Sequence, residues 1–130
     1  MAHGVAPARD HEWEERPSIG SDEPRRTTDI TASASLTESR ARIWRLPPHA
    51  RGRRHIEARQ EEVFVVVSGT LTLLVGEPPE RFDLEPESVA SVKPGNPLQL
   101  RNEGDEELVI FAYGAPAVVE PAEIVDDVSL

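Results

Sequence analysis

His55, Glu57 and Glu62 are the side chains of this sequence whose types and spacing best suit joint chemistry. Side chains at i and i+2 of a strand share one face, about 6.6 Å apart along it. In the run RRHIEARQEE a regular strand places Arg53, His55, Glu57 and Arg59 on one face, with Arg54, Ile56 and Ala58 on the other. On a curved sheet an imidazole and a carboxylate at that spacing can converge on one point. Glu62, at the start of the next apolar run, offers a third donor. Such a set suits one divalent ion, Zn, Fe, Mn or Ni. The same letters also spell a metal-free network, in which the two carboxylates need Arg53, Arg59 or a raised pKa to be tolerated. Both readings stay open at this level. His3 and His11 lie in a polar stretch and His49 follows Pro47-Pro48 in a turn, so all three read as inert.

The elements that must carry these groups are short strands. ARIWRL, EVFVVVS, TLTLLV, RFDL, SVASVK, PLQLRN and ELVIFAYG are separated by Gly- and Pro-bearing breaks. Turn signals at roughly eight- to twelve-residue intervals are the pattern of an all-β sandwich or barrel. Ser68-Gly69 reads as a tight hairpin between two of the runs. EVFVVV is apolar on both faces, so both are expected to be covered. Alternation turns Leu98 and Leu100 inward, and Phe64 shares the face of Glu62, which together outline an apolar pocket wall. Trp44, Phe111 and Tyr113 are further candidates for that wall. Arg53 and Arg59 could meet a ligand carboxylate bidentately.

Residues 1–28 contain HEWEERPSIGSDEPRR, which has no apolar period of 2 or 3.6 and reads as an extended polar arm. Trp13 and Ile19 are its possible anchors. Residues 29–118 form the barrel domain, and 119–130 are an acidic tail. The whole chain, at 130 residues, has the size of one domain. It carries 24 acidic and 14 basic residues, for a formal charge of −10, which argues against nucleic acid and anionic membranes as partners. No cysteine is present, so thiolate metal sites, disulfides and Cys nucleophiles are excluded. No apolar run has transmembrane length and no secretory h-region opens the chain, so a cytoplasmic protein is expected.

The stretch from Pro47 to Asn102 resembles the two motif regions of the cupin superfamily. In the first motif His55 matches the first histidine, Glu57 stands where the second is expected, Glu62 matches the glutamate and Gly69 the closing glycine. His49 holds the opening glycine position. In the second motif, KPGNPLQLRN supplies Pro94-Gly95 and Asn102, while Ser88 replaces the opening glycine and Leu98 stands at the histidine position. The resemblance implies a double-stranded β-helix, or jelly-roll, barrel and a homodimer. It also implies a divalent metal held by three His and one Glu, of which this chain keeps His55 and Glu62 and offers Glu57 as a substitute.

Function then divides three ways. The leading expectation is a small-molecule-binding cupin with an incomplete metal site, because Leu98 cannot be a ligand. The next is a metal-dependent dioxygenase, isomerase or epimerase acting on a small organic acid or sugar through His55, Glu57 and Glu62. The last is a structural or regulatory dimer whose barrel is filled by side chains.

Overall fold

Alternating apolar residues between frequent turn formers give this chain strands and very little helix. The computed structural model describes residues 2–118 and 120–130; Met1 of the expected arm and Val119, at the head of the expected tail, lie outside the described residues. The first strands are β1 (Glu14–Arg16), β2 (Arg25–Asp29), β3 (Arg40–Leu46), β4 (His55–Ile56), β5 (Glu61–Ser68) and β6 (Leu71–Val75). They are followed by β7 (Glu80–Leu84), β8 (Val89–Val92), β9 (Pro97–Arg101), β10 (Leu108–Ala115) and β11 (Glu123–Ile124). Two antiparallel sheets result, ordered β1-β2-β3-β10-β5-β8 and β11-β4-β9-β6-β7. This is the expected all-β class, with two antiparallel sheets, although they are not closed into one hydrogen-bonded cylinder.

Register decides which residues face inward. Thr27 opposes Trp44, Trp44 opposes Ile110, Arg42 opposes Ala112, Ala112 opposes Phe64 and Gly114 opposes Glu62. Those residues therefore share the inner face of the larger sheet, because paired residues point the same way. From the smaller sheet His55 opposes Leu98, and Leu98 and Leu100 oppose Val75 and Leu73. Leu46, Phe64, Val66, Leu71, Leu73, Val92, Leu98, Leu108 and Ile110 meet between the sheets as the core. Each side chain of this size contributes about 1.5–3 kcal/mol on full burial.

Two expectations about the chain path are corrected. Ser68-Gly69 is not a hairpin turn, since β5 and β6 belong to different sheets. The chain crosses between sheets there, with Gly69 at φ +81°, where an added Cβ would lie 2.6 Å from the Glu107 carbonyl oxygen. The tight hairpin is the next one, β6 to β7. The second correction concerns EVFVVV. Phe64 and Val66 are buried, but the other face of β5 is open, with Val67 56% exposed and Val63 and Val65 half-buried. Within a single chain, one side of the larger sheet rests on the core while its outer side stays partly exposed.

The polar arm is also more ordered than its composition suggests. β1 and β2 extend the larger sheet, and β2 continues across position 28 to Asp29. Backbone pairing carries these strands, helped by buried Thr27, whose hydroxyl donates to the Ile43 carbonyl. Trp13 is held by the guanidinium groups of Arg26 and Arg45 at 5.8 and 5.1 Å, and Ile19 exchanges backbone hydrogen bonds with Arg51. Both anchors therefore rest on the chain's own fold.

The tail is tied down as well. β11 pairs with β4. Buried Arg54 donates to the Asp126 carbonyl and pairs with Glu77, and buried Arg101 donates to the carbonyls of Val128 and Leu130. Charged residues on the outer face of the smaller sheet are thus covered by the acidic segment that follows them.

Candidate metal centre and cavity

His55 leaves β4 toward the core, and its ring is oriented by a neighbour in sequence. Nδ1 lies 3.1 Å from the Arg53 carbonyl oxygen. A carbonyl only accepts, so Nδ1 carries the proton and donates. Nε2 faces Glu62 Oε1 across 3.6 Å, and both side chains are largely buried. That is too long for a hydrogen bond. Glu62 Oε1 is buried and has no hydrogen-bond partner among the described residues. Glu57 joins from the turn after β4, whose backbone is pinned where the Glu57 carbonyl accepts from Gly95 N–H at 2.8 Å. One donor atom from each of His55, Glu57 and Glu62 lies within 4.8 Å of the others.

The electrostatics follow from this crowding. Burial works to push the His55 imidazolium down, but Glu62, the Arg53 carbonyl and Glu57 outweigh it and leave the ring above its usual pKa. Burial, then the charge of Glu62, raise Glu57 above the usual carboxylate range, against the opposing pull of His55 and Arg40. Two acids and an imidazole in one half-buried place are short of positive charge.

These observations bear on whether an ion fits. An imidazole whose far nitrogen donates to a backbone carbonyl presents its other nitrogen as a lone pair, the usual arrangement of a metal-bound histidine. A buried carboxylate oxygen without a donor is the second sign of an expected cation. Two carboxylates and one imidazole are a hard donor set, which leans toward Mn or Fe over Zn or Ni. Leu98 stands directly opposite His55 in the β4–β9 pairing, buried in the core, and contributes nothing to an ion.

The cluster opens into a cavity of about 620 Å³. Its walls include Trp44, Phe64, Leu100, Tyr113 and Ile124, with Arg53, His55, Glu57 and Glu62 among the polar groups. The interior is therefore not filled by side chains. Of the residues expected to contact a ligand, Arg53, Phe64 and Leu100 reach this cavity, and Leu98 lies behind it in the core. Arg59 does not line it: the chain turns at Ala58-Arg59 instead of continuing as a regular strand, and Arg59 points outward to Glu120 at 2.9 Å. Phe111, which opposes Val65 on the outer face, is also outside the cavity. Sequence reasoning missed Arg16, Arg25, Arg40 and Arg42, all of which line it. No period marks Arg16 and Arg25, which only the pairing of β1 and β2 turns inward; Arg40 and Arg42 share the face of Trp44 in β3, a strand whose alternation was a usable signal.

The chain belongs to the Cupin_2 family, whose cupin domain matches residues 42–113. No curated protein matches it by sequence. Among solved structures it is similar to a sugar phosphate isomerase of the cupin superfamily from Silicibacter pomeroyi, at 22% identity and TM-score 0.72, over 87% of this chain and 76% of that one. It is similar also to a predicted oxalate decarboxylase from Thermotoga maritima, at 14% identity and TM-score 0.74, over 87% of this chain and 99% of that one. A cupin-like protein from the same organism gives 16% identity and TM-score 0.71, over 99% of this chain and 90% of that one. At these identities the likeness is one of fold.

Family membership explains two further features. His49, at the motif's opening glycine position, has φ +68°, the left-handed conformation that glycine takes at least cost. Asn102 is structural: its buried amide donates to the carbonyls of Leu46, Pro47 and Glu106, and its oxygen accepts from Gly104 N–H. It locks the end of β9 to the ends of β3 and β10.

Proposed function

We propose that this protein binds a small molecule over a divalent metal ion held by His55, Glu57 and Glu62. The observation that carries the reading is Glu62 Oε1, buried without a partner and facing the Nε2 of a histidine whose other nitrogen is already committed. A bound ion would supply Lewis acidity and a place for ligand oxygens. The chain's own residues do the rest. His55 and Glu62 are fixed by β4 and β5, and Phe64, Trp44 and Leu100 give the ligand apolar walls.

Three protein donors leave coordination positions open, as in catalytic sites, and this favours the enzymatic form of the proposal. In that form the protein is a metal-dependent isomerase, epimerase or dioxygenase for a small organic acid or sugar. Two of its structural neighbours carry enzyme names, which is consistent with that form at the level of fold. Titration of chelator-treated protein with Mn(II) tests the shared premise. One ion per chain is expected for the wild type, with binding weakened about 100-fold or more in His55→Ala. Equal binding by both proteins would overturn it.

The proposal includes a homodimer in the cytoplasm. Exposed Val67 and Val89, with half-buried Val63, Val65 and Phe111, give the larger sheet an apolar outer face that a second copy could cover. Light scattering that returns a monomer would remove the dimer. Among the described residues no helix is long and apolar enough to cross a membrane.

A further inference from the structure

Arg16, Arg25, Arg40, Arg42 and Arg53 line the cavity against the carboxylates of Asp29, Glu57 and Glu62. That balance opposes the −10 of the whole chain. Three of the five are answered locally. Arg42 pairs with Asp29 at 3.5 Å, Arg40 donates to the Val118 carbonyl, and Arg16 donates to Glu14. Arg25 and Arg53 are different. Arg16 and Arg25 are direct cross-strand partners, a like-charge pairing that weakens a sheet. Arg16 has Glu14 beside it at 2.6 Å, but no carboxylate among the described residues pairs with Arg25 or Arg53.

Arg25 is held in place without being neutralised. Its Nε and Nη2 donate to the Pro17 carbonyl at 3.1 and 2.9 Å, and its guanidinium lies 5.0 Å from the centre of the Trp44 ring. Nη1 is left over. It sits beside Gly52, where an added Cβ would come within 2.8 Å of it. Burial and the charges of Arg16 and Arg53 hold Arg25 below its ordinary pKa. A stacked, pre-oriented guanidinium with two more beside it suits an oxyanion, which such forks bind bidentately. Gly52 stands three residues before His55, about 10 Å of extended chain. A small molecule can reach both places.

We propose that Arg16, Arg25 and Arg53 form an anion-binding subsite for a phosphate or carboxylate group on the molecule whose other end meets His55, Glu57 and Glu62. The second half of that statement rests on the function proposed above. The subsite itself does not, and the test separates them. Trp13→Phe leaves Trp44, which Arg25 stacks on, as the sole tryptophan. This protein is titrated with inorganic phosphate and, separately, with acetate at constant ionic strength, first metal-free and then with Mn(II). A saturable change in Trp44 fluorescence is expected in the metal-free protein. A response to phosphate alone assigns a phosphate ligand, to acetate alone a carboxylate, and to both a general oxyanion site.

Arg53→Gln, at an exposed side chain, should weaken the anion about tenfold while the fold is kept. Arg25→Lys should do the same, because lysine keeps the charge and loses the fork. Arg81→Gln, on the far surface, is the control. An absent or non-saturating response, or unchanged affinity in both Arg53→Gln and Arg25→Lys, overturns the subsite. Anion binding without Mn(II) binding would sink only the metal reading, and Mn(II) binding without an anion response only the subsite.

Discussion

The two charged parts of the cavity are built in opposite ways. His55, Glu57 and Glu62 come from eight consecutive residues, and β4, one turn and β5 bring them together. Arg16, Arg25 and Arg53 come from three separate segments, two of them in a stretch with no apolar period. The acids are short of positive charge, and among the described residues Arg25 and Arg53 have no carboxylate partner, while Arg16 has Glu14. Neither lack is relieved by the other, because each group is fixed by local bonds: His55 by the Arg53 carbonyl, Arg25 by that of Pro17. A cavity that keeps unlike charges apart while leaving both unanswered is shaped for a ligand that answers both. The general lesson is that spacing reveals a site made by one strand and its neighbour, and hides a site made by a sheet edge.

The largest effects should separate the two parts. His55→Ala is expected to abolish measurable Mn(II) binding at ordinary protein concentration and leave the Trp44 anion response intact, while Arg53→Gln should weaken the anion about tenfold and leave Mn(II) binding intact. Loss of both responses in either variant would mean that the two parts are one structural unit. Asn102→Ala tests whether the family motif is separable from either. It removes the side-chain hydrogen bonds to the Leu46, Pro47 and Glu106 carbonyls and from Gly104 N–H, although Pro47 keeps Ala50 N–H, so a loss of about 3 kcal/mol in denaturant unfolding is expected. Mn(II) affinity at a temperature where the variant is folded should be unchanged. A selective loss of metal binding would give Asn102 a role in the site.

A pH series sharpens the contrast further. Both His55 and Glu57 have folded pKa values above their ordinary ones. For a raised value the stabilisation is complete below the unfolded pKa, near 6.5 for His, and is lost as pH rises through the folded one. The Tm advantage of metal-free wild type over His55→Gln should therefore shrink from pH 6 toward pH 9. Mn(II) affinity should climb over the same range, since the ion competes with protons for these groups. Parallel slopes would contradict the assignment. The smallest effect belongs to Glu57→Gln, which removes a carboxylate whose charged form is disfavoured. It should raise the Tm of the metal-free protein slightly at pH 8 and weaken Mn(II); a fall in Tm would show that Glu57 is better paired than its surroundings suggest.

Seven of the strands, β3 and β5 to β10, were legible because apolar alternation and Gly/Pro breaks are local signals. The triad was legible for the same reason, since i, i+2 spacing and one turn are local geometry. Arg59 misled because strand parity was carried past the point where the chain turns. β1, β2 and β11 were invisible because backbone pairing with a neighbour, not side-chain pattern, makes them strands. Leu98 was correctly turned inward, but whether inward meant cavity or core depended on what packs across from it.

By itself, then, the sequence determined the all-β class, the jelly-roll resemblance and the gathering of His55, Glu57 and Glu62, since each rests on periodicity or short spacing. Only the tertiary structure decided that Gly69 switches sheets, that the arm and tail close over the fold, and that Arg16, Arg25 and Arg53 share one cavity. Those outcomes depend on which strands lie side by side, and that is set by long-range packing rather than by any residue's near neighbours.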